Sequence, residues 1–141
     1  MNPWVVDTSV VFKWSRQEGE EEYITQALAL LDDHLAGRLE LHAPDLLLYE
    51  LGNILSLKED AASEEAVIIV RDTLSLGLTI HPIGLPLAEA TLNVARQYGV
   101  TFYDASFLAL SRLLGCPLVT ADNKLYRKAR SFAKLTLLGN L

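Results

Sequence analysis

Short apolar runs recur along this chain, and most are followed by a stretch of helical period. That alternation constrains the fold more than any other feature. Residues 4–6, 39–42, 78–83, 117–120 and 135–138 read as short strands. Helical period is expected over residues 9–14, about 20–36, 45–58, 63–76, 86–98, 101–114 and 123–133, with glycines 37, 77, 99 and 115 as stops. Strands that are apolar throughout must be covered on both faces. They imply a parallel or mostly parallel sheet between helix layers. In such sheets ligands bind beyond the carboxyl ends of the strands.

The finer expectations concern faces and starts. Ile24, Leu28, Leu31 and Leu35 form the expected buried stripe of the second helix, with Glu20, Glu21 and Glu22 complementing its dipole at the start. Leu47, Leu51, Ile54 and Leu55 face inward on the third. Trp4, Trp14 and Tyr49 are assigned to the core rather than to nucleic-acid stacking. Val67, Ile68 and Val70 lie in a run of five apolar residues. Such a run covers more than one helix face, so part of it suits a subunit or partner interface.

With 141 residues, half of them hydrophobic, the chain suits one domain spanning 1–141. No apolar run approaches the roughly 20 residues that cross a bilayer, and no membrane association is expected. The first residues lead almost directly into a strand, so no signal peptide is expected. The single Cys116 allows no internal disulfide and reads as a small core residue; a cytoplasmic setting follows.

Four carboxylates stand beside core-forming segments. Asp7 ends the run Trp4-Val5-Val6, and Asp122 follows Leu118-Val119-Thr120-Ala121. Glu50 interrupts an apolar helix, and Asp104 opens another. Acids in such places are rarely buried unless paired or bound to a cation. Each has a simpler explanation: Asp7 and Asp122 as helix N-caps, Asp104 in a capping box with Thr101, Glu50 as a half-exposed helix residue. Taken together, the four suggest one cation site.

An all-oxygen site selects hard cations, Mg²⁺ or Mn²⁺. The matching chemistry is metal-dependent hydrolysis of a phosphodiester, with no side-chain nucleophile needed. His34, His42 and His81 share no ligand spacing with each other or with Cys116, which argues against zinc. No nucleophile elbow, Walker loop or dinucleotide fingerprint is present.

The net charge of −6 argues against a general nucleic-acid coat protein, but its distribution is uneven. Eighteen acidic and seven basic residues precede Asn123; five basic and no acidic residues follow. Lys124, Arg127, Lys128 and Arg130 therefore form a candidate phosphate-contacting patch beside Asp122, or else a solvated helix face.

Four segments resemble motifs of the PIN domain nucleases. They are Val5-Val6-Asp7-Thr8-Ser9-Val10, Tyr49-Glu50-Leu51-Gly52-Asn53-Ile54-Leu55, Tyr103-Asp104-Ala105-Ser106-Phe107-Leu108-Ala109-Leu110 and Thr120-Ala121-Asp122-Asn123-Lys124-Leu125. They span the whole chain in order. The resemblance implies an α/β/α sandwich around a parallel sheet of about five strands. It implies that Asp7, Glu50, Asp104 and Asp122 gather as catalytic and metal-binding residues around Mg²⁺ or Mn²⁺, with Thr8, Ser9 and Thr120 as supporting hydroxyls.

Within the family the chain is most similar to VapC toxins. That implies an endoribonuclease acting on RNA, homodimeric and inhibited by a VapB-type antitoxin. A PIN protein of RNA processing or decay, and a catalytically silent RNA- or protein-binding module, are the alternatives. An aspartyl-phosphate enzyme is disfavoured, because no second acid stands two residues after Asp7.

Overall fold

A computed structural model describes residues 2–58 and 63–141. Strand β1 (Pro3–Val6) leads through Asp7 into α1 (Thr8–Lys13). There follow α2 (Ile24–Leu35), β2 (Glu40–Pro44), α3 (Leu46–Leu57), α4 (Ser63–Leu74), β3 (Thr79–His81), α5 (Leu85–Tyr98) and α6 (Phe102–Leu114). The chain closes with β4 (Leu118–Thr120), α7 (Asn123–Lys128), β5 (Leu135–Leu137) and a 3-10 turn (Leu138–Asn140).

The five strands form one sheet in the order β3-β2-β1-β4-β5, and every pairing is parallel. Val5 and Val6 point to opposite faces of β1, yet both are completely buried. Helices therefore cover both sides of the sheet, as the apolar strands require. Helix α6 is buried all round from Ala105 to Ser111 and packs mainly against α5. The chain builds outward from β1 through β2 to β3, then crosses back to β4 on the other side of β1. The topological switch point lies between the carboxyl ends of β1 and β4.

Several expectations need correction. Helix α2 starts at Ile24, after Tyr23 in the left-handed region (φ 61°), and has no acid in its first turn. Glu20 and Glu21 instead form ion pairs with Arg16 and Lys13, the latter at 2.9 Å. The buried face of α2 is Ile24, Ala27 and Leu30, while Leu28 and Leu35 are exposed. Two overlapping stripes fit the same period. The small Ala27 wins because Trp14, the C-cap of α1, lies against it, donating Nε1–H to its carbonyl at 2.8 Å.

Tyr49 is not a core residue: it is 75 % exposed, because Leu47, Leu51 and Leu55 occupy the inner face of α3. Helix α7 stops at Lys128, short of residue 133. The histidines are not all scattered. His42 Nδ1 and His81 Nε2 lie 2.8 Å apart across β2 and β3, and His42 Nε2 lies 2.6 Å from Glu40 Oε1. Burial, and then the charge of His42, lowers the His81 pKa.

The tryptophan and cysteine expectations hold. Trp4 and Trp14 pack on the core, and Cys116 lies within it. Val67 and Ile68 are exposed on α4 as expected, but Val70, grouped with them in the sequence, packs with Ile69 toward Phe12, Leu51 and Leu55. Among the described residues no helix is long and apolar enough to cross a membrane.

Candidate active site

Strand β1 delivers Asp7 to the switch point at its carboxyl end. There it takes an extended conformation and caps α1, its Oδ1 accepting from the Val10 N–H at 3.4 Å. The Ser9 hydroxyl donates to the same oxygen, and Thr120 contributes a further side-chain hydrogen bond. Asp7 is only 5 % exposed. Burial pushes its pKa up to about 6; the hydrogen bonds from Ser9, Thr120 and Val10 pull against this, and the charge of Asp122 adds to it.

Asp122 occupies the matching position after β4 and caps α7. Its Oδ1 accepts from the N–H groups of Lys124 at 2.9 Å and Leu125 at 3.1 Å. Its own N–H donates to Thr120 Oγ1 at 3.0 Å. Ser9 ties the two loops together, since its Oγ also accepts from the Ala121 N–H at 2.9 Å.

Glu50 reaches the site from α3. It is half-buried and accepts from Thr8 Oγ1 at 2.7 Å, which couples α3 to α1. Its pKa is raised by burial first; Thr8 opposes that and the Asp104 carboxylate reinforces it. Asp104 sits in the first turn of α6. Thr101 caps this helix, its Oγ1 accepting from the Asp104 backbone N–H at 3.1 Å. Burial and then Asp122 raise the Asp104 pKa, while Thr101, Lys128 and Lys124 lower it.

These repulsions link all four acids: Asp122 acts on Asp7 and on Asp104, and Asp104 acts on Glu50. Acids far apart in sequence thus feel one another's charge, and Thr8 bonds to Glu50, Ser9 to Asp7, and Thr120 to both Asp7 and Asp122. Among the described residues no group of three His, Cys, Asp or Glu side chains is already converged enough to hold a metal ion. The four acids nonetheless offer only oxygen and repel one another, which is the chemistry a hard divalent cation relieves.

Lys124, Arg127, Lys128 and Arg130 are all exposed, while Leu125 and Ala129 turn inward. Lys124 and Lys128 are close enough to act on Asp104. No comparable pull from Arg127 or Arg130 registers on Asp7, Glu50 or Asp104. The sequence assigned Tyr49 to the core and singled out neither Phe102 nor Tyr103, yet all three aromatic residues beside the acids are exposed. The signal was present, since an aromatic residue directly precedes the acid in both Tyr49-Glu50 and Tyr103-Asp104.

The sequence matches the PIN domain family model over residues 4–131. It is 31 % identical to Ribonuclease VapC3 of Pyrobaculum aerophilum over 134 residues, covering 88 % of this chain and 92 % of that one. The fold is similar to the crystal structure of PAE2754 from Pyrobaculum aerophilum, with a TM-score of 0.71 at 23 % identity, covering 99 % of this chain and 85 % of that one. It is also similar to DNA-bound VapBC from Salmonella typhimurium, with a TM-score of 0.69 at 16 % identity and 97 % of each chain covered. A family match across nearly the whole chain, a relative of this identity and a sheet with its acids at the switch point agree, and the chain belongs to the PIN domain family.

Proposed function

We propose that this protein is a divalent-metal-dependent endoribonuclease, the toxin of a VapBC-type pair. The observation that carries the reading is the linked set of carboxylates at the switch point, with two lysines beside it. Asp7, Glu50, Asp104 and Asp122 would hold Mg²⁺ or Mn²⁺. Bound there, the ion supplies Lewis acidity and a water of lowered pKa.

The chain's own residues prepare the site. The N-cap bonds fix Asp7 and Asp122, Ser9 and Thr120 orient Asp7, and Thr8 orients Glu50. Lys124 and Lys128 attract the phosphate of the RNA, with Arg127 and Arg130 extending the basic face outward. The name of the Pyrobaculum relative supports ribonuclease activity. The Salmonella complex supports pairing with a VapB-type antitoxin. A homodimer working in the cytoplasm completes the reading.

Mapping RNA ends after brief induction, and again with purified protein in Mn²⁺ and in EDTA, tests it. The expected result is discrete internal cleavage that depends on metal and is lost in Asp7→Asn and Asp104→Asn. Cleavage that survives EDTA, or survives either substitution, refutes the site. An inert protein that still binds RNA favours the silent-module alternative.

A further inference from the structure

Edge strand β3 is short, Thr79–His81, and among the described residues it draws its main packing from β2. The register sets Pro44 opposite His81, and proline has no N–H to add to the pairing. Two bonds of His81 hold this end of the strand. Its carbonyl accepts from the Asp45 N–H at 2.9 Å, and its ring meets that of His42 on β2.

Glu40 and His42 share one face of β2, being two residues apart. His42 Nε2 lies 2.6 Å from Glu40 Oε1, and His42 Nδ1 lies 2.8 Å from His81 Nε2. The two imidazole planes differ by 28° and their centres are 5.1 Å apart. That spacing is the nitrogen–nitrogen distance plus little more than one ring radius at each end. The rings therefore meet edge to edge, with both nitrogens on the line between the centres, and one proton fits between them. Lone pairs facing along a single line do not converge on a corner, as two ligands of one tetrahedral metal ion would.

A neutral imidazole has one N–H and one bare nitrogen, and a cationic one has two N–H groups. With both rings neutral, His81 donates to His42 and His42 donates to the Glu40 carboxylate. With one proton added, His42 is the cation between that carboxylate and His81, and it donates to both. A second added proton sets N–H against N–H at 2.8 Å, between two cations. We propose that Glu40, His42 and His81 form a pH-sensitive latch on the edge strand β3, closed while a single proton lies between the rings and opened when both rings are charged. Opening frees residues 79–84 from β2 and leaves the rest of the sheet and the helices folded.

The elements packed against β2 leave this chain to set its own charge. β1 has Val5 in register with His42 and no titratable side chain from Pro3 to Val6. α6 has none from Ala105 to Ser111. On α3, Glu50 is bonded to Thr8 and Tyr49 is exposed. Asp45, between β2 and α3, meets His81 through its backbone. His34 of α2 has its Nδ1 on the Leu41 N–H and its Nε2 on the Leu76 carbonyl. Burial, and then the charge of His42, lowers the His81 pKa, so the second proton enters below pH 6.5. Solvent reaches the chain through Glu40, which lines an open cavity of about 250 Å³ with Asn2, His34 and Thr79, at the edge of the sheet opposite the acids.

The test is amide hydrogen exchange on the full chain in EDTA from about pH 8 to 5, read as protection after correction for the intrinsic pH dependence of exchange. Protection of Ile80, His81 and Asp45 should fall by up to about tenfold for each pH unit between 6.5 and the lowered His81 pKa, then level off. Leu108 in α6 should keep its protection throughout. His42→Gln and His81→Gln each leave one ring to charge, so the acid step should vanish in both. In the wild type, nitrogen NMR of the imidazoles should show a coupling across the shared proton at neutral pH that is lost in the acid step; this reading does not depend on how well the variants fold. Protection of β3 that stays flat over the range, or falls equally at Leu108, overturns the latch. So does an acid step that persists in either glutamine variant, or the absence of a His42–His81 coupling at neutral pH.

Discussion

Asp7→Asn should stabilise the metal-free protein above pH 6. Asp7 is buried, and its carboxyl holds a proton up to about pH 6, against an ordinary value of 3.8. Between those values the folded state binds more protons than the unfolded state. Stability therefore falls as pH rises across this window, and the loss is complete above it. The separation corresponds to roughly 3 kcal/mol.

Asparagine removes that cost and keeps an oxygen for the Val10 N–H and the Ser9 hydroxyl. Its amide nitrogen endangers the Thr120 contact, which is worth about 1 kcal/mol. The net gain is then about 2 kcal/mol, or roughly 5–10 °C in Tm for a domain of this size.

Other groups titrate nearby. Glu50 and Asp104 are shifted upward, in the same sense as Asp7. His81, lowered from 6.5, works oppositely, its share of stability being lost as pH falls through that region. Subtracting the variant's curve from the wild type's isolates Asp7. The assay is urea denaturation in EDTA at steps from about pH 3 to 8. The difference should grow in the variant's favour from about pH 4 to 6 and then stay level. A variant less stable than wild type at pH 8 would show that capping of α1 outweighs charge burial, and the reasoning fails. Adding Mn²⁺ should reverse the order, because the ion stabilises whatever folded state binds it.

Lys124→Gln with Lys128→Gln should weaken RNA binding for every sequence and flatten its salt dependence; an unchanged slope in a titration from low to moderate salt leaves these lysines as a solvated face. Ser9→Ala removes the link between Asp7 and Ala121 and should cost about 1–3 kcal/mol, with cleavage falling further than the loss of folded protein explains; normal cleavage at a temperature well below Tm denies Ser9 a positioning role. Val67→Lys with Ile68→Lys should turn the proposed homodimer into a folded monomer by light scattering and circular dichroism, since both side chains are exposed. They lie on α4, where Val67 also borders an apolar groove of about 400 Å³ between α3 and α4; a dimer that persists places the interface elsewhere. Trp14→Phe removes the donor to Ala27 O and should cost about 1–3 kcal/mol, read by chemical denaturation.

Much of the fold was legible because its signals are local. Val5 and Val6, adjacent and both apolar, demand cover on two faces, and Gly99 and Gly115 end α5 and α6 at φ 64° as their left-handed freedom predicts. What escaped depends on partners distant in the chain. The choice between Leu28 and Ala27 was made by Trp14, and the meeting of His42 with His81 by the parallel register of β2 and β3.

The acids show a subtler limit. Sequence spacing set helix capping against site chemistry as rival explanations for Asp7 and Asp122. A carboxylate has two oxygens, and a cap needs only one. Both N–H bonds that cap α7 fall on Asp122 Oδ1, and the Val10 bond that caps α1 falls on Asp7 Oδ1. Capping therefore holds each acid rigidly at the switch point while the other oxygen is not consumed by the cap. The same bonds that explain the acids as structural residues would preorganise them for the proposed metal site, so removing the charge and keeping the cap, as Asp7→Asn does, is the substitution that separates the two roles.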